Sequence, residues 1–173
     1  MKRTTALIKP DGTQEPGFEL KYDTSMACTI PDEDAVIISG GYDTLTTVSV
    51  YSPQGWQQNL PPLNTGRYSH ACSSYWSDEG RFLIVTGGFR SSSSLDSTET
   101  FDSDLGSWAT SGAKLPQTMS GLRAANIDGR VMIFGGSGGG GSYYDDILEY
   151  DPEEDTMVSV GHMVQPRLDH AVS

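Results

Sequence analysis

Residues 130–150 read RVMIFGGSGGGGSYYDDILEY: an apolar run, a glycine pair, a glycine-rich stretch and an alternating segment that contains an aromatic residue. From Gly136 to Gly141 the stretch also fits the G-x-G-x-x-G pattern of dinucleotide-binding loops. Such a loop must lead directly into a helix whose N-terminus holds the pyrophosphate. Only SYYDD separates Gly141 from the strand-like ILEYDP, so the glycines are predicted to form a turn rather than a phosphate site.

The same order of features occurs three times, at a spacing of 47 to 48 residues. Apolar runs end in glycine pairs in AVIISGG (35–41), FLIVTGG (82–88) and VMIFGGS (131–137). After a polar loop, each pair is followed by an alternating segment with an aromatic residue, in TTVSVYSP (46–53), STETFDS (97–103) and ILEYDP (147–152). Self-similarity at this period indicates a repeat architecture. The segments are short, rich in Val, Ile, Thr and Tyr, and show no sustained helical pattern, so the chain is predicted to be all-β.

This order of a glycine pair, an aromatic residue and a tryptophan resembles the kelch repeat, whose fold is a β-propeller of blades with four antiparallel strands. The resemblance implies that the first strand of each blade begins after an arginine and that the second ends at the glycine pair. The third strand would hold the aromatic residue, and the fourth would lie near the tryptophan. Met157 stands where a third tryptophan is expected. The residues with these structural roles are Gly40, Gly41, Tyr51, Trp56, Gly87, Gly88, Phe101, Trp108, Gly135, Gly136 and Tyr150.

The repeats predict one kelch region over residues 1–173 that does not close into a ring. Its parts are the end of a preceding blade (4–17), three blades (22–64, 65–118 and 119–164) and the first strand of a next blade (165–173). Propellers close their rings so that no blade edge is left unpaired. We therefore interpret the chain as a fragment of a larger propeller. The alternative is that two copies associate through their open edges.

The composition restricts the partners. The formal net charge is -12, with 23 acidic and 11 basic residues, and this charge repels nucleic-acid phosphates and anionic lipids. We predict neither a nucleic-acid nor a membrane partner. No export signal or membrane-spanning stretch is recognised, which would indicate the cytoplasm if the N-terminus is genuine; the compartment stays undecided. Cys28 and Cys72 are too few for a disulfide scaffold, and we expect them to be small buried hydrophobes at equivalent blade positions.

Antiparallel strand order places the loops after second strands and the connections into first strands on one side of the blades. Loops on a rigid scaffold commonly carry function, and aromatic residues and arginines dominate binding hot spots. We expect a protein or peptide partner there, with an acidic one favoured by the arginines. Arg67, Arg123 and Arg167 are predicted to repeat in phase, and the alternative role for these three is to tie adjacent blades together. Arg90 does not repeat. The predicted binding residues are Tyr42, Arg67, Phe89, Arg90, Arg123, Tyr143, Tyr144 and Arg167. The glycines at 138–141 would let Tyr143 and Tyr144 sample a wide area.

The sequence predicts no catalytic residue, metal site or cofactor. His70 and His170 each follow an arginine by three residues, but the other blades have Asn126 and Met26 at the aligned places, and His162 lies elsewhere in the repeat. The acidic DPEEDT (151–156) is predicted to be a solvated turn. The favoured function is a non-catalytic protein-interaction module. The alternative is a fragment of a carbohydrate-active or galactose-oxidase-like enzyme on the same scaffold, whose copper chemistry would need a tyrosine–cysteine cross-link.

Overall fold

Three antiparallel sheets, each with a path of four strands, follow one another in the computed structural model, which describes residues 4–8, 14–19, 25–32, 34–57 and 59–172. These described ranges contain no helix. The predicted all-β fold with four-stranded antiparallel blades is therefore confirmed, and the sheets do not close into a ring. We call the three sheets the first, second and third blades.

The strands are as follows. A hairpin of β1 (Thr4–Ile8) and β2 (Gln14–Glu19) comes first. The first blade contains β3 (Cys28–Asp32), β4 (Ala35–Ser39), β5 (Val48–Ser52) and β6 (Gly55–Trp56). The second contains β7 (Ala71–Ser77), β8 (Gly80–Thr86), β10 (Ser93–Asp102) and β11 (Ser107–Met119), with the short β9 (Phe89–Arg90) paired to the start of β10. The third contains β12 (Arg123–Ile127), β13 (Arg130–Phe134), β16 (Asp146–Asp151) and β17 (Thr156–His162), with a small hairpin of β14 (Ser137–Gly139) and β15 (Ser142–Tyr143).

The repeated sequence features lie at the same places in each blade. The second strands β4, β8 and β13 end directly before the glycine pairs. The aromatic residue of each third strand is directly opposite the tryptophan position of the fourth: Tyr51 faces Trp56, Phe101 faces Trp108, and Tyr150 faces Met157. Within 4–17 the described backbone is that of β1 and the start of β2, whereas residues 165–172 form no strand. The assignment of these two ends to neighbouring blades stays a prediction.

The hydrophobic core lies between blades. One cluster joins the first and second blades and contains Ile30, Val85, Phe101 and Trp108, and a second joins the second and third blades around Tyr75 and Tyr150. Burial of side chains of this size contributes about 1.5–3 kcal/mol each relative to exposure. The indole N–H of Trp108 donates to the Pro61 carbonyl at 2.9 Å, so burial leaves no unpaired donor there.

A ladder of hydrogen bonds connects the segments that lead into the first strands. The Ser69 N–H donates to the Met26 carbonyl, the Gly121 N–H to the Ser69 carbonyl, and the Asp169 N–H to the Gly121 carbonyl, each at 2.8 Å. All four residues have a left-handed backbone conformation, with φ between 48° and 70°. Shared bonding and shared φ identify these residues as equivalent positions of the repeat.

The ladder corrects the predicted phase of Arg123. Arg67 and Arg167 each lie two residues before a ladder residue, and Met119 has that place before Gly121. Arg123 is instead the first residue of β12, where β7 has Ala71. The prediction that Arg123 repeats in phase with Arg67 and Arg167 is therefore wrong. The same shift makes Leu122, rather than Asn126, the equivalent of His70 and His170.

The two cysteines form a disulfide between the first and second blades, with their Cα atoms 6.0 Å apart. Cys28 is the first residue of β3, whereas Cys72 is the second residue of β7. Because successive side chains of a strand point to opposite faces, this offset of one residue directs Cys28 towards the second blade and Cys72 back towards the first. The expectation of two separate hydrophobes at equivalent positions is wrong, since equivalent positions would point the same way and could not meet.

The turn at 151–156 ties the third blade to the second. The Asp155 carboxylate accepts very short hydrogen bonds from the Ser111 hydroxyl and the Gly112 N–H of β11, and one from the Tyr150 hydroxyl at 3.2 Å. Burial opposes ionisation of Asp155, but these bonds outweigh it and hold the pKa of the carboxyl below its usual value. The prediction of a simple solvated turn is therefore incomplete: Glu153 and Glu154 are exposed, but Asp155 has a structural role.

We predict that Gly135→Ala lowers the free energy of unfolding by about 2–4 kcal/mol, because both strain and overlap follow. Gly135 has φ 59°, and a Cβ atom there would overlap the Arg167 carbonyl oxygen. The matched control is Gly139→Ala. Gly139 also has a positive φ, 86°, but a Cβ atom there would have no neighbouring atom within 4 Å. The control should cost only about 1–2 kcal/mol in urea unfolding. Equal losses would contradict a packing role for the repeated glycine pair.

Candidate partner-binding face

The loop face consists of the loops that follow the second strands and the connections that lead into the first strands. Backbone hydrogen bonds join the two kinds of segment in each blade: Tyr42 N–H to Ser25 O (2.9 Å), Phe89 N–H to Tyr68 O (2.8 Å) and Ser137 N–H to Ser120 O (2.8 Å). The predicted placement of these segments on one side therefore agrees with the hydrogen bonds. The repeated bonds give the face a regular, fixed backbone.

Arg67 lies beneath this face and is completely buried. Its guanidinium donates to the Gly87 carbonyl at 2.8 Å and to the Ser97 carbonyl at 2.9 Å, and it forms an ion pair with Glu99 at 2.8 Å. Burial lowers the pKa of Arg67, and the hydrogen bond to Glu99 opposes this effect. Since no part of Arg67 reaches the surface, it does not belong to a partner-binding set. Its contacts fit the alternative role for these arginines, which is to tie segments together through hydrogen bonds to carbonyls and a carboxylate.

Glu99 completes this buried cluster. Its carboxylate accepts the N–H groups of Asn64 and Thr65, at 2.7 and 2.9 Å, as well as the guanidinium of Arg67. Glu99 lies on β10, whereas residues 64 and 65 belong to the connection between the first and second blades. The ion pair therefore fixes that connection to the third strand of the second blade.

Arg123 and Arg167 are separate from that cluster. The Arg123 side chain is one-third exposed; it donates to the Leu122 carbonyl at 2.9 Å and pairs with Asp169 at 3.3 Å. Arg167 is exposed, and its backbone N–H and carbonyl bond Tyr144 and Gly136. The four arginines that the sequence grouped together thus do not converge. Arg90, Arg123 and Arg167 are accessible, and only Arg67 is buried.

Three aromatic rings form a continuous strip on the loop face. The Tyr42 and Tyr68 ring centroids are 5.2 Å apart in an edge-on arrangement, and those of Tyr68 and Phe89 are 5.5 Å apart. Tyr42 is 59% exposed, so one end of the strip is open to a partner. Exposed Arg90 follows Phe89 in β9. We call Tyr42, Tyr68, Phe89 and Arg90 the aromatic strip.

Tyr68 is the residue of the strip that the sequence prediction missed. It lies between Arg67, which was predicted to bind a partner, and His70, which was considered as a metal ligand. The available signal was an aromatic residue within a connection already assigned to the binding side. The structure brings Tyr68 to Phe89 through a β-bridge between residues that are 21 positions apart.

The glycine run forms the tip of the β14–β15 hairpin. Gly139, Gly140 and Gly141 all have positive φ, as a tight reversal requires. Tyr143 is 54% exposed, but Tyr144 is half-buried, and a Cβ atom at Gly138 would collide with its hydroxyl. The expectation that both tyrosines sample a wide area is therefore wrong for Tyr144, whose ring packs on the hairpin backbone.

His70 and His170 lie beside the disulfide, along a cavity of about 240 Å³ that Arg123 also lines. A ring nitrogen of His70 and the Ser39 hydroxyl form a hydrogen bond of 2.9 Å. Burial, together with the nearby charges of Arg67 and Arg123, lowers the pKa of His70 to about 3. Burial and the same kind of arginine neighbours lower the pKa of His170. His70 is thus a neutral, buried histidine that links the first and second blades.

His162 is brought close to two carboxylates by strand pairing. It is directly opposite Asp146 in the β16–β17 register, and its ring nitrogen lies 3.2 Å from Asp145 and 3.7 Å from Asp146. Potential metal-ligand atoms of these three residues lie within 4.8 Å of one another. The sequence pattern left His162 isolated because its neighbours are distant along the chain. The observed contact is a hydrogen bond between the ring of exposed His162 and the Asp145 carboxylate.

Comparisons with known proteins agree with the repeat. The family model described as Kelch motif matches residues 119–161. Kelch-like protein 33 of Homo sapiens is 30% identical over 124 residues, which are 67% of this chain and 22% of that protein. Kelch-like protein 15 of Danio rerio is 33% identical over 101 residues, 56% of this chain and 16% of that protein. The chain therefore spans about a fifth of the length of these curated relatives.

A solved structure has the same fold. The chain reported as "Structure of YjhT" superimposes with a TM-score of 0.71 at 16% sequence identity, over 85% of this chain and 54% of that one. Identity this low supports the shared architecture and not a shared activity. Among the described residues, no helix is long and apolar enough to span a membrane.

Proposed function

We propose that this chain, which is built from kelch repeats, is a non-catalytic protein-interaction module that binds a peptide or protein segment on its loop face. The observation that carries the proposal is the aromatic strip. Tyrosine and phenylalanine supply large contact areas at low cost in conformational entropy, and such rings are enriched at binding hot spots. The accessible Arg90, which follows Phe89 in β9, can bind a carboxylate through paired hydrogen bonds. An acidic segment is therefore the favoured partner.

The proposal rests on the charge near the aromatic strip rather than on the net charge of the chain. The net charge of -12 opposes an acidic partner at long range, but Arg90 is an exposed cation directly after Phe89 in β9, at one end of the strip. Charges more than a Debye length away, about 8 Å at physiological salt, are largely screened. The contact would therefore be governed by Arg90 and the rings rather than by the total charge.

We predict that Arg90→Glu weakens binding of an acidic peptide about tenfold or more, because it replaces an attractive charge contact with a repulsive one. The probe is a peptide selected on the wild-type chain from a random displayed library and then measured by fluorescence anisotropy. The melting temperature should stay within about 1 °C, since an exposed side chain without a buried partner contributes little to stability. Selection is expected to enrich Asp and Glu.

Lys114→Glu is the matched control for total charge. Lys114 is exposed on β11, opposite Ser97 in the β10–β11 register, and does not belong to the aromatic strip; its replacement changes the net charge by the same amount. Equal weakening by both variants would mean that bulk charge controls binding. If Arg90→Glu instead lowers the melting temperature without affecting the peptide, the residue is structural and the proposed site is wrong.

A galactose-oxidase-like fragment, the alternative function, would need a cysteine in a different covalent bond. That chemistry requires a cysteine cross-linked to a tyrosine, whereas Cys28 and Cys72 are bonded to each other. Elemental analysis of the purified chain discriminates the two functions. Stoichiometric copper would overturn the interaction-module proposal.

A further inference from the structure

A groove of about 690 Å³ runs between the second and third blades on the side opposite the loop face. This side carries the turns between first and second strands and between third and fourth strands, and we call it the turn face. The inner wall of the groove contains the partly exposed ring of Phe82 and the buried rings of Tyr75 and Tyr150, each 5% exposed, and residues of the turns form its rim. Both walls belong to blades whose strands are described completely, so the shape of the groove does not depend on how the ring closes.

The rings of the inner wall are held in place by contacts with one another. The rings of Tyr75 and Phe82 are stacked with centroids 5.3 Å apart and an interplanar angle of 13°. The Tyr75 and Tyr150 rings meet edge-on at 5.6 Å, and the Tyr150 hydroxyl donates to Asp155. Asp155 is itself bound to β11, so the wall and the far side of the groove are fixed to each other.

The rim is acidic and includes an exposed tryptophan. Trp76 is 70% exposed, and Asp78, Glu79 and Glu153 are exposed beside the groove. Among the described residues that line the groove, none is a lysine or arginine. Asp155 is committed to internal hydrogen bonds, but no ion pair with a cation occupies the carboxylates of Asp78, Glu79 or Glu153 among the described contacts.

We propose that this groove binds a lysine- or arginine-bearing segment of a partner protein. The methylene stem of such a side chain packs on apolar and aromatic surface while its charged head stays at the wet rim. Ring faces attract cations, and carboxylates accept charge-assisted hydrogen bonds from them. The groove offers both elements at accessible positions. The partly exposed ring of Phe82 and the exposed ring of Trp76 can contact the stem and the cation, and the exposed carboxylates lie at the rim. Charge complementarity therefore selects a basic peptide over an acidic or purely apolar one.

This site is independent of the proposed function. The aromatic strip lies at one end of the strands and favours an acidic segment, whereas the groove lies at the other end and favours a basic one. A partner could occupy either without contact with the other. A failure at one site therefore leaves the other testable.

The probe is a fluorescein-labelled Gly/Ser peptide in which two lysines are the only charged side chains, measured by fluorescence anisotropy at physiological ionic strength. The reference probe has glutamine in place of both lysines. We expect saturable binding of the lysine peptide only, and Glu79→Lys should weaken it about tenfold or more. Phe82→Leu should also weaken binding, because it removes one ring of the stacked wall while it keeps an apolar side chain.

Asp34→Lys is the matched control. Asp34 is exposed in the corresponding turn of the first blade, on the same face, and its replacement changes the net charge equally. This variant should change the affinity less than about twofold, because the site is local. Equal weakening by Asp34→Lys and Glu79→Lys would show diffuse charge attraction and overturn the proposal. Binding of the glutamine peptide with the same affinity, or no binding of the lysine peptide, would also overturn it.

Discussion

Glu99→Ala is expected to lower the free energy of unfolding by about 3–5 kcal/mol, since it leaves a fully buried guanidinium without its counter-charge. Arg67 and Glu99 are 0% and 1% exposed, so water cannot replace the lost carboxylate without local opening. The substitution also removes the acceptor of the Asn64 and Thr65 N–H groups. Asn64 is exposed and Thr65 half-buried, so water can replace part of this loss; an N–H group that stays dry adds a desolvation cost of about 1–3 kcal/mol. Urea unfolding followed by tryptophan fluorescence measures the loss.

Glu149→Ala is the control for this experiment. Glu149 lies on β16, the third strand of the next blade, and pairs with Arg130 at 3.1 Å at the surface, where the two side chains are 23% and 62% exposed. Exposed ion pairs contribute about 0–1 kcal/mol. A similar small loss for Glu99→Ala would mean that the buried pair is easily solvated. Arg67→Met should be destabilising as well, and the double variant should lose less than the two single losses together, because the pair acts as a unit.

Removal of the disulfide by Cys28→Ala and Cys72→Ala together is expected to cost about 4 kcal/mol of unfolding free energy. The bond closes a loop with a sequence separation of 44 residues, and loop-closure entropy in the unfolded chain predicts a contribution of this size. Alanine is chosen instead of serine because a serine at position 72 would bury an unpaired hydroxyl; Cys72 is only 4% exposed. Thermal and urea unfolding of the oxidised wild-type chain against the double variant measure the difference.

Reduction provides the control for the disulfide. In excess reductant the wild-type chain should unfold at nearly the same urea concentration as the double variant, since both then lack the cross-link. The double variant itself should not respond to reductant. If reductant leaves the wild-type unfolding curve unchanged and mass spectrometry finds two free thiols, the cross-link does not form.

The blades could be predicted because their signals repeat. Glycine pairs, third-strand aromatics and tryptophans recur at one spacing, and each marks a constraint on a single strand: a sharp reversal, or a ring that fills the gap between blades. Three repetitions make chance agreement improbable even though each signal is weak by itself. Trp108 and Phe101, two residues at these repeated positions, lie in the core between the first and second blades.

The candidate sites were harder to predict because they depend on register. An offset of four residues set Arg123 in phase with Arg67, and an offset of one residue aligned Cys28 with Cys72. Because side chains alternate along a strand, the one-residue offset gave both cysteines the same face. The burial of Arg67 depended on an acceptor, Glu99, 32 residues away, which local chemistry does not reveal. The ring contacts of Tyr68 and the groove between the blades form only when segments that are distant in the sequence pack side by side.

The ladder through Met26, Ser69, Gly121 and Asp169 has a consequence for cooperativity. Because each step joins only neighbouring blades, the coupling that holds the blades together is a chain of nearest-neighbour terms rather than one shared core. A blade bonded on both sides is then protected by two such terms, and a blade at an open end by one. Partial unfolding should therefore start at an open end and move inward, and whatever covers that end would act as a cap for the entire array.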